Sequence, residues 1–238
     1  MKYALVTGCD HGVGLALAGQ LMERGYTVAA CRLDAKERQI DDLAAQTPGK
    51  INVFDVDIGR DDSVAALCEA VKSRFPALDL VINNAGILGH MESGPDAPLD
   101  FELMQRVINV NALGALRVTA GLLPLLRLGQ QKTVVNISSE AGSIADCERV
   151  GWFGYCMSKA ANNMQGTLIH NTLRREGGRV LQIHPGHVAT YMRGHLDTTA
   201  RITPEVSAAG ILRVVLDTPR PVGDRPLYLD YTGKELPW

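Results

Sequence analysis

The sequence predicts an α/β fold, a doubly wound parallel sheet of seven strands with helices on both faces. Three observations carry that expectation. Short apolar runs alternate with longer amphipathic stretches along the whole chain, the pattern of repeated strand-helix units. The short runs are β-branched and apolar with little alternation, as in strands covered on both faces. A glycine-rich turn, "TGCDHGVG" (Thr7–Gly14), joins the first run to the first amphipathic stretch.

In order, "YALVTG" reads as strand one and "HGVGLALAGQLMERG" as a helix that stops at Gly25. "TVAACR" is strand two, and the polar stretch "DAKERQIDDLAAQ" a helix over Asp34–Gln46. "INVFDVD" is strand three, "DDSVAALCEAVKSRF" a helix, and "LDLVINNAG" strand four. A long helical region spans about 101–128. "KTVVNISS" is strand five, a helix follows over 154–174, and "RVLQIHPG" is strand six. "PEVSAAGILRVVLD" is a helix and "PLYLDY" strand seven. The Pro/Gly-rich segments Gly94–Pro98 and Thr218–Pro226 read as loops. No linker, repeat or low-complexity segment divides the chain, so residues 1–238 are expected to form one domain.

Composition narrows the class. The net charge is -2, and neither a basic run nor an acidic tail points to nucleic acid or a charged partner. The N-terminal apolar run is short and broken by Gly and charge, unlike a secretory leader. No apolar run approaches the ~20 residues needed to span a bilayer. The five cysteines (Cys9, Cys31, Cys68, Cys147, Cys156) are odd in number and scattered, which suits reduced thiols and a cytoplasmic setting.

Two motifs carry chemistry. In "TGCDHGVG", Gly8, Gly12 and Gly14 stand where the backbone turns tightly and approaches something closely. The helix that follows offers unsatisfied N–H groups and a positive dipole end, a seat for a pyrophosphate. In "GYCMSK", Tyr155 precedes Lys159 by four residues, so the two share a helix face. A free tyrosine has a pKa of about 10, and an ammonium one turn away favours the phenolate and brings that value down. An acid and its tuning charge are thereby coupled. His184 and His187 stand three apart on a Pro-Gly turn; two ligands are too few to argue for a metal, and none is expected.

The motifs "TGCDHGVG", "NNAG" (Asn83–Gly86), Asn111, "ISS" (Ile137–Ser139), "YCMSK" and "HPGHVAT" (His184–Thr190) stand in the order and spacing of the short-chain dehydrogenase/reductase family, which the chain resembles over nearly its whole length. "SSEAGSIAD", "GWFGYCMSKAANNM" and "GKELPW" resemble its C-factor and sniffer-type carbonyl reductase branch. The resemblance implies a Rossmann sheet in the order 3-2-1-4-5-6-7 and reduction of an aldehyde or ketone by a nicotinamide dinucleotide. Tyr155 is then the general acid/base, Lys159 its tuning charge and a ribose ligand. Ser139 binds the substrate oxygen, and Asn111 supports a water relay to the lysine. A dehydratase or epimerase using the same tyrosine is an alternative, as is a non-catalytic dinucleotide-binding regulator. Ser139 precedes Tyr155 by 16 residues where many members have 13. Ser143 is the competing candidate, while Ser138 faces the other way on a strand.

The resemblance also implies the dinucleotide site: Gly8, Asp10, His11, Gly12, Val13 and Gly14 around the pyrophosphate, and Asp55 and Val56 at the adenine. Asn83, Ala85 and Gly86 border the adenosine ribose, with Asn83 alternatively a sheet-stabilising residue. Pro185, Gly186, Val188 and Thr190 lie over the nicotinamide. Strand two ends in Cys31, not in the acid that bonds a ribose 2′-OH. Arg32 follows, and a guanidinium pairs well with a 2′-phosphate, so NADP(H) is expected over NAD(H). The segment Tyr191–Glu205 is a short lid, with Trp152, Phe153, Tyr191 and Met192 as candidate aromatic or apolar edges and Arg193 and His195 as candidate charge readers. The apolar stretch 112–126 and the tyrosine-bearing helix are candidate faces of a homo-oligomer.

Overall fold

The structure, a computed structural model, describes residues 1–218 and 221–238. Pro219 and Arg220, part of the expected Thr218–Pro226 loop, lie outside the described residues. Seven strands form one parallel sheet: β1 Lys2–Thr7, β2 Tyr26–Arg32, β3 Ile51–Asp55, β4 Leu80–Asn83, β5 Thr133–Ile137, β6 Arg179–His184 and β7 Leu227–Asp230. Their order is β3-β2-β1-β4-β5-β6-β7, as the sequence predicts. The reversal between β1 and β4 opens a crevice at the carboxyl ends of the strands, where α/β sheets bind ligands.

Alternate residues of each strand enter two separate cores. Ala4, Val6, Val28, Ile82, Val135, Leu181 and Ile183 face one side, under α1 (Gly12–Glu23), α2 (Gln39–Gln46) and α7 (Pro204–Leu212). Leu5, Ala29, Val81, Val134 and Val180 face the other, under α3 (Asp61–Arg74), α5 (Ala115–Leu128) and the end of α6 (Phe153–Leu173). Both faces are covered, hence the unbroken apolar runs. Each fully buried Leu, Ile or Val stabilises this arrangement by about 1.5–3 kcal/mol.

Three expected helices differ in detail. The Asp34–Gln46 stretch is helical only from Gln39. Asp34 Oδ1 accepts from Lys36 N and its carbonyl from Glu37 N, so the first residues close a turn instead. The 101–128 region is α4 (Phe101–Ile108), a π-helical turn over Asn109–Gly114, and α5. In that wide turn Gly114 passes under Ile58, where a Cβ would lie 2.9 Å from the Ile58 carbonyl oxygen. The last helix changes from α to π geometry at Arg213. By length and composition alone Phe101–Leu128 could cross a membrane, against the sequence expectation; in the fold its Val118, Leu122 and Leu126 are fully buried on the second core.

On the α5/α6 face the sheet turns polar near the strand ends. Asn83, Asn136, Gln182 and Tyr228 are register neighbours across four strands. Asn83 Nδ2 donates to Asn136 Oδ1 at 2.8 Å and Thr119 Oγ1 at 2.9 Å. Ser138 Oγ donates to Asn163 Oδ1 at 2.6 Å. α6 answers with Ser158, Lys159, Asn162 and Asn163, all buried.

The β1–α1 turn depends on bare backbone. A Cβ on Gly14 would sit 2.0 Å from the Gly8 carbonyl oxygen. Gly→Ala inside a helix ordinarily stabilises by about 1 kcal/mol. Here the added methyl meets backbone, so Gly14→Ala should destabilise by about 1–3 kcal/mol, read as a lower urea midpoint; a raised midpoint would contradict the packing described.

Candidate active site

The crevice is a cleft of about 830 Å³, large for a single small ligand. Its floor is the glycine turn. Gly8 and Gly12 have φ of +71° and +62°, a region costly for side-chain-bearing residues. A Cβ on Gly8 would lie 2.9 Å from Ala85 Cα. The backbone thus runs bare at the N-terminus of α1, whose first turn holds no acidic side chain. Asn84 ties the β1 and β4 ends together, its Nδ2 donating to the Thr7 and Gly8 carbonyls.

At the other end Tyr155 and Lys159 of α6 meet Ser139 after β5. Lys159 Nζ donates to the Ile137 carbonyl at 2.8 Å and lies 5.5 Å from the Tyr155 ring centre. Burial lowers the Lys159 pKa to about 8. Tyr155 goes the other way. Burial raises it to about 12, opposed by the hydrogen bond with Ser139 and reinforced by the Glu140 charge. The downward shift expected from Lys159 is not what these side chains produce. Desolvation of the phenolate is the largest cause of the rise, and Tyr155 is a protonated phenol at neutral pH.

Most of the expected residues line the cleft: Gly8, Asp10, His11, Gly12, Val13, Val56, Ala85, Gly86, Ser139, Tyr155, Lys159, Pro185, Gly186, Val188 and Thr190. Five do not. Gly14 is a packing glycine beneath the turn. Asn83 is buried in the polar row of the sheet, and its neighbour Asn84 reaches the cleft. Asp55 belongs to β3 and turns outward to Arg32 Nε at 2.7 Å; Asp57, two residues on, lines the cleft and accepts from Gly59 N at 2.8 Å. The D-x-G turn signal at Asp57 marked that place in the sequence. Arg32 also pairs with Asp41 Oδ2 through Nη1 at 2.5 Å, leaving Nη2 outside the two pairs. Asn111 sits in the π turn, where Oδ1 accepts from Ile87 N and Nδ2 donates to Ile87 O and Ser158 Oγ. It fastens the loop after β4 to α6, and Gly86 lies between it and Lys159.

Ser143 accepts from Asp146 N and stays off the cleft, and Ser138 is turned to Asn163, which leaves Ser139 beside Tyr155. Of the proposed edges, Trp152 and Met192 line the cleft, while Phe153 and Tyr191 do not. Arg193 is 3.7 Å from Asp197, which also bonds His187 and Thr199; these partners hold the Asp197 carboxyl well below the usual range. His195 is outside the wall. His184 and His187 diverge, one toward Glu140 and one toward Asp197. Among the described residues no group of three His, Cys, Asp or Glu side chains is arranged to hold a metal ion. Residues that motif reasoning did not reach, Glu140 and Arg149 chief among them, enter through the long Ser139–Tyr155 connection.

Comparison with known proteins agrees with this arrangement. The family model for short chain dehydrogenase matches residues 2–201. The 1-hydroxy-2-glutathionyl-2-methyl-3-butene dehydrogenase of Rhodococcus sp. (strain AD45) is 35% identical over 215 residues, 90% of each chain. C-signal of Myxococcus xanthus is 38% identical over 161 residues, 68% of this chain and 93% of that protein. The NADPH-bound carbonyl reductase from chicken fatty liver superposes with a TM-score of 0.88 at 28% identity, covering 100% of this chain and 99% of that one. With its sheet order, glycine turn and Ser139–Tyr155–Lys159 cluster, the chain belongs to the short-chain dehydrogenase/reductase family.

Proposed function

We infer that the protein is an NADP(H)-dependent reductase of aldehydes or ketones. The observation that carries this is the convergence of Tyr155, Ser139 and Lys159 at one end of a cleft whose other end is a bare glycine cradle. The cradle fits a dinucleotide pyrophosphate, and the chicken carbonyl reductase of the same fold is NADPH-bound. When bound, the nicotinamide supplies the hydride. Ser139 and Tyr155 orient the substrate carbonyl oxygen, and Tyr155, kept protonated by burial, donates the proton that completes the alcohol. Lys159, near pKa 8, holds a proton at neutral pH 5.5 Å from the Tyr155 ring centre. Asn111 keeps the loop carrying Gly86 against α6.

Trp152, Met192, Ile87 and Leu88 give the substrate end an apolar edge, which favours small neutral carbonyls. A second reading has its own support: Arg106 and Arg201 also line the cleft, and the Rhodococcus relative is a dehydrogenase of a glutathionyl compound, a class that carries carboxylates. In a carbonyl panel with NADPH, neutral substrates should lead. A more than about tenfold kcat/KM advantage for carboxylated members, about 1.4 kcal/mol, would select the second reading. Tyr155→Phe should retain NADPH binding and lose at least about 10²-fold in turnover; near wild-type turnover refutes its role as acid.

Arg32 is the proposed reader of the 2′-phosphate, using Nη2 and the grip of Asp41 and Asp55 to hold the fork in place. Arg32→Ala should weaken NADPH binding at least about tenfold more than NADH binding, measured by quenching of protein fluorescence. Equal losses for the two would remove it from that role.

A homo-oligomer is also proposed. α6 exposes Met157, Met164 and Leu168, and the π turn exposes Leu113, apolar side chains a second copy would cover. Sedimentation should show a dimer or larger species that Met164→Glu dissociates. A wild-type monomer at micromolar concentration would dismiss the assembly.

A further inference from the structure

The lengthened connection between Ser139 and Tyr155 returns Arg149 and Trp152 to the cleft. There they close a ring of contacts around the two hydroxyls. Tyr155 and Ser139 both line the cleft. Ser139 Oγ donates to Glu140 Oε2 at 2.6 Å. Its single proton is therefore held by Glu140 and directed away from Tyr155. Glu140 Oε1 accepts from Arg149 Nη2. The Arg149 guanidinium lies 5.3 Å from the Trp152 ring centre, and Trp152 meets Tyr155 edge-on at 6.4 Å. Trp152 adopts φ +64° to do so, and a Cβ on Gly151 would sit 1.8 Å from the Glu92 carbonyl oxygen. The approach of this loop is thus fixed by backbone packing.

We propose that Glu140 is a positioning residue whose carboxylate holds the Ser139 hydroxyl proton, beside Tyr155, until a substrate oxygen arrives. The inference rests on the reductase reading for the identity of that oxygen. A carbonyl oxygen between Tyr155 and Ser139 requires both of their protons, so Ser139 has to release Glu140. The structure holds a replacement ready. His184 Nδ1 lies 3.4 Å from Glu140 Oε2 and is buried without a hydrogen-bond partner. In the neutral tautomer protonated at Nδ1 it can take over the bond that Ser139 leaves. Arg149 stays on the other carboxylate oxygen throughout. No bond other than hydrogen bonds changes in this hand-over, and no proton leaves its heavy atom.

The charges around the ring are known from each element packed on it. Tyr155 is faced by Glu140 and Arg149 from the connection and by Lys159 and Cys156 from α6. Glu140 is faced by Arg149 and by His184 of β6. His184 is faced in addition by Asp230 of β7 and by Lys159, with burial holding it neutral. Glu140 and Arg149 therefore act on the Tyr155 phenol with opposite sign.

The test is a titration of Tyr155 in the complex with NADP⁺, using protein labelled with [¹³Cζ]tyrosine and assigned by the signal lost in Tyr155→Phe. Glu140→Gln keeps an acceptor for Ser139 and removes the charge, so a merely structural role is preserved. It should move the Tyr155 titration to lower pH by at least about half a unit. Arg149→Gln should move it to higher pH. The alkaline limb of the kcat/KM profile for carbonyl reduction should follow the same two directions. Shifts of the same sign, or no shift in Glu140→Gln, would overturn the proposal. The titration needs no turnover. If no carbonyl is reduced while the opposite shifts persist, the reductase reading fails and the role of Glu140 stands.

Discussion

A buried ammonium organises this molecule. Lys159 lies in the interior on α6, with Nζ on the last carbonyl of β5. Taking a cation out of water is expensive unless its protons find acceptors. That requirement brings α6 down onto the end of the sheet, and the sequence makes room with glycine. A Cβ on Gly142 would be 3.0 Å from the Lys159 carbonyl, and one on Gly166 would be 1.7 Å from Gln182 Nε2. The polar row Asn83–Asn136–Gln182–Tyr228 and the amides of α6 follow from the same contact. An apolar helix could lie on an apolar sheet; a helix that carries Tyr155 and Lys159 inward needs a polar floor near the strand ends.

The two ends of the cleft use different physics. At the glycine turn, backbone N–H groups and the α1 dipole provide a fixed positive potential without a charged side chain in the first helical turn. At the Tyr155 end charges are close, opposed and partly desolvated. Glu140 raises the Tyr155 pKa and Arg149 lowers it, while burial alone moves Lys159 toward neutrality. The result is a phenol that keeps its proton beside an amine that can exchange one. The lid works differently again, folded back on itself by Asp197, which gathers His187, Arg193 and Thr199. That leaves an apolar edge of Trp152 and Met192 facing the space beside Tyr155.

The fold was legible because it is written in periodicity. Apolar runs buried on both faces gave the strands, and the glycine turn located the crevice. The Tyr155–Lys159 pair was legible because i, i+4 spacing on a helix is geometry. What sequence does not show is the placement of single residues near strand ends, where one position decides which way a side chain points. Asp55 and Asp57 both look like the acid after β3, and the strand carries Asp55 outward to Arg32. Asn83 and Asn84 are adjacent and face opposite sides of the problem, one the core and one the cleft. Arg32 reads from sequence as a partner for a 2′-phosphate, and no spacing rule announces that Asp41 and Asp55 converge on it from α2 and β3. The Tyr155 shift was misjudged for the same reason. Pairing with Lys159 is visible in sequence, whereas the depth of burial that raises the phenol is a property of the packed site.

The central claim is that this site transfers hydride to a carbonyl carbon, and isotope tracing tests it most directly. NADPH deuterated at C4 would be incubated with the protein and a carbonyl it turns over, and the product analysed by mass spectrometry and proton NMR. The account predicts one deuterium on the new carbinol carbon for each nucleotide oxidised, a single configuration at that carbon, and a hydroxyl proton from solvent. A product that is dehydrated or epimerised while the deuterium stays on the nucleotide would contradict it.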